Sequence, residues 1–472
     1  MGKSDLNAFV LNIETEAQKK IATKWLGLAV ASLLAAGVFS LLLVLSRTPG
    51  VQSIIPWIDF FHVALVVHVD LSVLIWFLSM AGVFWTVSNT RSGGLIDQIA
   101  WILAAVGTLV LVSSPFFGVG DPLMNNYVPV LQHPAYYAGL CVFGVGVALL
   151  LMGRLVYLPS IPRDGKSTLA FASYIAAIPT SLSIVALLWS YNTMPATHSG
   201  ELYFEVLFWG AGHTIQFTHT LLLLVAWVWL AQVCGAKFTQ KPMLLASLCV
   251  LTILPIVLVP WIYLSAPVES ASHRIGFTKL MQYGGLACLP LGVIAVWQLI
   301  TMPRAKDEVK PLKSALIASF ILFSAGGIIG FLIEGVNVVI PAHYHGSIVG
   351  VTLSFMGIAY LLMPKLGLGH PNVRLAKIQP YVYGGGQLMH ILGLAWSGGY
   401  GVQRKTAGAA QGLDRLPEVL GMGMMGLGGL ISTWLLYTYD AAEEADSVEI
   451  GRHRNSNKDN ENRKRNEQEQ KK

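Results

Sequence analysis

The sequence predicts an all-α, polytopic membrane protein of twelve transmembrane helices with both termini cytoplasmic. Three observations predict it. Hydrophobic residues make up 54% of the 472-residue chain and charged residues only 12%, with a mean hydropathy of +0.60, far from a soluble globular average. Apolar stretches of roughly 18 or more residues, enough to cross a bilayer as a helix, recur along the whole chain. Lysine and arginine are also distributed unevenly between alternate connecting segments. With the N-terminus inside, the inner segments carry 25 basic residues and the outer loops five (Arg47, Arg274, Arg404, Lys405 and Arg415), which places both ends of the chain in the cytoplasm.

The elements follow in order. A polar opening, MGKSDLNAFVLNIETEAQKK, lacks the build of a cleavable signal peptide and makes 1–23 a cytoplasmic segment. The spans are 24–46, 58–87, 97–119, 134–158, 168–192, 201–233, 242–270, 275–301, 313–338, 342–363, 378–400 and 416–438, each an apolar run between polar or charged breaks. Backbone groups in lipid need internal partners, so each run reads as a helix. No internal repeat is visible, and 24–438 forms one membrane domain. Residues 439–472, ending HRNSNKDNENRKRNEQEQKK, mix charges without apolar anchors and read as a disordered cytoplasmic tail. Nothing points to a nucleic-acid partner. The four cysteines, Cys141, Cys234, Cys249 and Cys288, show no CxxC spacing and read as small core residues.

The twelve histidines carry the chemistry. His68 lies in the outer part of span two and His213 in the outer half of span six. His273 sits just past the outer end of span seven, and His343 and His345 open span ten from outside. Five imidazoles from four spans thus share one depth, where ionisable groups are costly and usually functional. Neutral imidazole ligates iron and copper well, and a six-coordinate haem needs two axial ligands. Side chains two apart on a helix point about 200° apart. His343 and His345 can therefore each ligate a different haem, one on either side of span ten.

That arrangement resembles the catalytic subunit of the haem–copper oxidoreductase superfamily, the family of cytochrome oxidases and nitric oxide reductases. The resemblance covers nearly the whole chain. HVDLSVLIW (68–76) is similar to the family's second helix, FWGAGHTIQF (208–217) to its sixth, SASHRIGF (270–277) to the segment after its seventh, and PAHYHGSIVG (341–350) to its tenth. The resemblance implies that His68 and His345 bind a low-spin haem and His343 a high-spin haem. It implies that His213 and His273 bind a second metal, copper, with non-haem iron as the alternative. Arg404 and Lys405 would neutralise haem propionates.

Three departures sort the possible reactions. Where the family has two adjacent histidines after helix seven, this chain has Ser272 and His273. Glu269, one turn earlier if the helix continues, and Glu205, two turns before His213, are the candidates for a third ligand or for proton delivery; Gln216 and His219 fit less well by angle. Phe217 stands where most oxygen-reducing members carry a tyrosine, and neither Tyr283 nor Tyr344 occupies a family position for that role. The inner half of span eight, PLGVIAVWQLI, is almost without polar side chains, Lys279 lies near its outer end, and THT (218–220) offers only a thin inner route. The acids Asp121, Glu201, Glu205, Glu269 and Glu334 gather outside instead. All three departures favour the divergent copper-containing nitric oxide reductases, which take protons from outside. Reduction of O2 to water is the alternative. A non-catalytic haem relay or gas sensor and a twelve-helix transporter are the further rivals.

The remaining features have quieter readings. His62 is structural or interfacial, His133 caps span four, His198 is a possible propionate partner, His370 lies in a cytoplasmic loop, His390 packs between helices and His453 is in the tail. YGGGQ (383–387) follows no strand, so it is not a phosphate loop. No CxxCH for covalent haem attachment is present. The resemblance therefore implies electron entry from a partner subunit with a periplasmic domain, or from cytochrome c or a cupredoxin. It further implies a bacterial inner membrane location with the site toward the periplasm.

Overall fold

A computed structural model describes residues 13–48, 58–117, 120–236 and 242–433. The N-terminal twelve residues and the tail 439–472 lie outside them, as does the end of the last predicted span. Among the described residues, ten helical segments are long and apolar enough to cross a membrane. The chain runs α1 (Glu16–Arg47), α2 (Ile58–Val69), a π-helical turn (Asp70–Ile75), α3 (Trp76–Val87), α4 (Leu95–Ser113), β1 (Pro122–Leu123), β2 (Val130–Leu131), α5 (Pro134–Leu155), α6 (Gly165–Thr193) and α7 (Gly200–Val233). It continues with α8 (Pro242–Ile253), α9 (Leu258–Ser265), α10 (Ala271–Lys279), α11 (Leu289–Thr301), α12 (Lys310–Gly330), α13 (Val339–Leu366) and α14 (Val373–Gly399), and residues 416–433 are helical.

Local chemistry explains the ends of these helices. Thr15 caps α1, its hydroxyl accepting from Gln18 N. The Gln18 amide in turn donates to the carbonyls of Thr86 and Val87, both at 3.1 Å, and so satisfies the buried C-terminal end of α3. His133 caps α5 as expected, its ring accepting from Ala135 N with Pro134 at the first helical position. Asp164 opens α6 with a capping box to Ser167.

The expected span 242–270 is interrupted and ends early. Pro255 lies in a 3-10 turn between α8 and α9, and the chain leaves α9 through an extended Ala266. A new helix then starts at the N-cap Ser270, so His273 stands in the first turn of α10. The helix does not continue from Glu269 to His273, and the one-turn relation expected between them does not hold.

The core is apolar and centred on α7, the most enclosed of the spanning helices. Close backbone contact joins α12 to α13. A Cβ at Gly346 would sit 2.6 Å from Gly326 Cα, and one at Gly330 would sit 2.7 Å from the His343 ring. The missing side chains let α13 press its histidines against its neighbour.

Candidate histidine site

The two histidines of α13 leave the helix in opposite directions. His343 Nδ1–H donates to the Gly326 carbonyl on α12 at 2.7 Å. His345 turns toward α14, where its ring lies 5.1 Å from that of His390, and its Nδ1–H donates to Pro341 O at 2.8 Å. His345 and His68 are close enough to interact electrostatically. His68 Nδ1–H donates to Ala36 O of α1 at 2.9 Å, just before the π-helical turn. Such a turn re-aims the residues around it and is frequent at functional sites.

His213 on α7 repeats the pattern, with Nδ1–H donating to Trp209 O at 2.7 Å. A carbonyl can only accept, so all four rings carry their proton on Nδ1 and present the Nε2 lone pair. That is how protein ligands to iron and copper are oriented. His273 is different: it is fully buried between Tyr263 and Phe277 and near enough to His213 to interact with it, and its ring makes no well-formed hydrogen bond, only looser approaches to the backbone of Ile262 and Ala266. A buried imidazole so weakly bonded asks for an explanation, and a bound cation supplies one. The donor set fits haem iron and a further metal.

A short hairpin reaches over this centre. β1 pairs antiparallel with β2, Pro122 opposite Leu131. In the loop between them, Asn125 Oδ1 accepts from Tyr127 N and Val128 N, a local turn that sets the Tyr127 side chain. Tyr127 Oη lies 2.8 Å from His213 Nδ1 and accepts from Gln216 Nε2 at 3.3 Å. Burial and the nearby Glu205 charge hold the phenol well above its ordinary pKa, so it stays neutral.

The charged residues tie that hairpin down. Both Glu205 oxygens accept from Asn126, one from its backbone N–H at 2.9 Å and one from its side-chain amide. Asn126 Oδ1 accepts from Arg404 at 2.7 Å. Lys405 donates to Met124 O at 3.3 Å and faces Glu201 at 3.6 Å, and His62 meets the Lys405 carbonyl. Lys405 has φ +59°, the one left-handed non-glycine among the described residues. A lysine held there stores strain that the surrounding contacts must support.

The expected site residues thus fall into two groups. His68 and His345 gather on one side of α13 beside His390, His343 faces α12 on the other, and His213 and His273 approach each other from α7 and α10. Glu205 is taken up by Asn126. Glu269 is exposed and lines a cavity of about 370 Å³ with Trp189 and Tyr263, within electrostatic reach of His273. Among the described residues, no three His, Cys, Asp or Glu side chains converge as a ready metal-ligand set. Phe217 is buried on α7.

Two neighbours of the histidines, Arg47 and Tyr127, were not expected from the sequence. His390 packs between helices as expected, its Nδ1 tethered to Met425 O, and its ring also stands beside that of His345. Arg47 was counted only as a loop charge, yet it interacts with His345, His390 and Tyr344. Being one of five outer basic residues was the available signal. Tyr127 carried no signal, since it sits in a loop 86 positions from His213.

Comparison with known proteins follows this geometry. The family model described as Cytochrome C and Quinol oxidase polypeptide I matches residues 20–431. An uncharacterised protein of Rickettsia prowazekii is 30% identical over 480 residues, covering 87% of this chain and 93% of its own. An uncharacterised protein of Aquifex aeolicus is 28% identical over 359 residues, covering 76% and 88%. A heme-copper terminal oxidase dimer solved by cryo-electron microscopy shares the fold at TM-score 0.64 and 16% identity, over 91% of this chain and 84% of that one.

Proposed function

The chain belongs to the cytochrome c and quinol oxidase polypeptide I family, an oxidoreductase of the haem–copper superfamily, and from that premise we propose that it is a respiratory catalytic subunit whose preferred substrate is nitric oxide. The reaction is 2 NO with two electrons and two protons to N2O and water. His68 and His345 would hold a low-spin haem, His343 a high-spin haem, and His213 and His273 a copper; groups held there would supply electron transfer and gas binding.

The chain's own residues do the positioning. Carbonyls of Ala36, Gly326, Pro341 and Trp209 fix four imidazoles in one tautomer. Arg47, Arg404 and Lys405 supply positive charge for haem carboxylates. Glu269, exposed beside His273, is the remaining candidate for a third ligand or a proton carrier. The twelve-helix topology, cytoplasmic termini, bacterial inner membrane and a periplasmic electron donor belong to this same reading, supported by the lysine and arginine bias.

The observation that carries nitric oxide is Phe217. It lies one turn after His213, is buried, and has no proton to give. Splitting O2 asks for four electrons and four protons at one site; joining two NO asks for two of each. A second reading, O2 to water, rests on Tyr127, a phenol against His213 that arrives from the hairpin instead of from α7. Turnover of the purified complex with NO and O2 supplied separately, with metals counted on the same sample, tests both. N2O formation with little O2 uptake supports the first; fast O2 uptake overturns it in favour of the second.

A further inference from the structure

At the opposite end of the bundle from Arg404, where α3 and α5 end and α6 begins, lies a cavity of about 630 Å³. Its lining includes Ser88, Arg91, Arg154, Tyr157, Ser160 and Lys166. Its charges are unequally committed. Lys166 pairs with Glu14, and Asp164 is consumed in capping α6. Arg91 stacks over the Tyr157 ring at 4.4 Å, and among the described residues it has no carboxylate partner. Arg154 is only 4% exposed. Its guanidinium sits 5.0 Å from the Tyr174 ring and donates one hydrogen bond, to Ala170 O at 3.0 Å, while its Nε is left without a partner.

A buried guanidinium without a counter-charge is unfavourable, and among the described residues neither Glu14 nor Asp164, the two acids that line the same cavity, pairs with Arg154. Arginine forks match tetrahedral phosphate oxygens. We propose that this cavity binds a phosphate group between Arg91 and Arg154. The rim favours a phospholipid as its source. Val156 and Leu158 stand 71% and 81% exposed beside Tyr157, an apolar edge suited to acyl chains. Cytoplasmic-side basic residues beside a membrane attract anionic lipid in any case, but here one of them is buried in a formed cavity.

The test uses the full chain, purified in detergent, washed free of lipid, and titrated with phosphatidylglycerol, diacylglycerol or inorganic phosphate while retention is read by native mass spectrometry. Wild type is expected to retain phosphatidylglycerol in preference to diacylglycerol, and Arg91→Ala, an exposed change that leaves the core untouched, to bind it roughly tenfold more weakly. Arg154→Met is expected to abolish the preference; if that variant does not fold, Arg91→Ala decides alone. Displacement of the lipid by inorganic phosphate at equal concentration upholds the phosphate site and assigns it to a free anion. Equal retention of phosphatidylglycerol and diacylglycerol, or unchanged retention in Arg91→Ala, overturns the proposal.

Discussion

The phenolic oxygen of Tyr127 lies 2.8 Å from Nδ1 of His213, bridging a loop hairpin to the most enclosed helix of the bundle. The Trp209 carbonyl, 2.7 Å from the same nitrogen, requires that Nδ1 carry the proton. Tyr127 therefore accepts, shares that proton with Trp209, and holds the ring so that Nε2 faces away from the loop. Asn126, Glu205 and Arg404 keep the hairpin in place by hydrogen bonds. The tyrosine orients the His213 imidazole.

Tyr127→Phe removes the oxygen and keeps the ring. Partners of this kind change metal affinity or activity by roughly 10–100-fold when lost. Copper retained after dialysis against a graded chelator should fall by that order, with haem content unchanged. Assayed on metal-loaded protein, NO turnover should persist under the nitric oxide reading. Loss of O2 uptake alone in this variant would instead mark the phenol as a participant in oxygen reduction.

How much of this was legible beforehand follows from what sequence spacing encodes. The apolar runs and the His343-x-His345 spacing depend only on chain-local geometry, and the structure sends those two rings to α12 and α14 as the spacing demands. Contacts such as Tyr127 with His213, or Arg404 with Asn126 across 278 positions, depend on how loops fold back over the bundle, which no local pattern records. The helical-turn relation expected between Glu269 and His273 does not hold, for a local reason: Ala266 is extended and Ser270 starts a new helix, so spacing by helical turn does not apply.

His273 gives a test of the metal side that needs no turnover. A fully buried ring nitrogen without a well-formed hydrogen bond costs up to about 1–3 kcal/mol when no cation binds, less whatever the loose approaches to Ile262 and Ala266 return. His273→Leu replaces the ring with an apolar group of similar size. Metal-free, this variant should melt no lower than metal-free wild type. Adding copper should raise the melting temperature of wild type and leave that of the variant unchanged. A strongly destabilised metal-free variant would show that the imidazole has a structural partner.

The haem ligands separate by spectrum. His68→Ala and His345→Ala should each remove the low-spin signal from reduced-minus-oxidised spectra, because either loss leaves one axial position empty. His343→Ala should retain that signal and lose carbon monoxide binding at the high-spin haem. His390→Phe keeps a ring 5.1 Å from His345 and should retain two haems per chain. Loss of the low-spin signal in His390→Phe, with retention in His68→Ala, would reassign the axial pair.

Lys405 predicts an alkaline stability change whose sign can be worked out. Burial, and then the neighbouring Arg404 charge, push its amine below the ordinary 10.5, and the opposing pull of Glu201 and Glu205 does not restore it. The folded protein therefore disfavours the ammonium relative to the unfolded chain, and neutral pH carries a penalty. Between the lowered folded value and 10.5 the unfolded state binds more protons, so stability rises with pH across that window. Lys405→Gln has no such titration. The melting temperature of wild type minus that of Lys405→Gln should climb as pH rises through the window and level off above it. A difference that falls instead would mean that the Glu201 contact at 3.6 Å outweighs burial, making Lys405 a stabilising cation rather than a strained one. The left-handed backbone at Lys405 sharpens the point. A residue that carries backbone strain and a half-buried charge together persists only because its contacts with Met124 and Glu201 support it, which is the pattern of a position held for the site it faces.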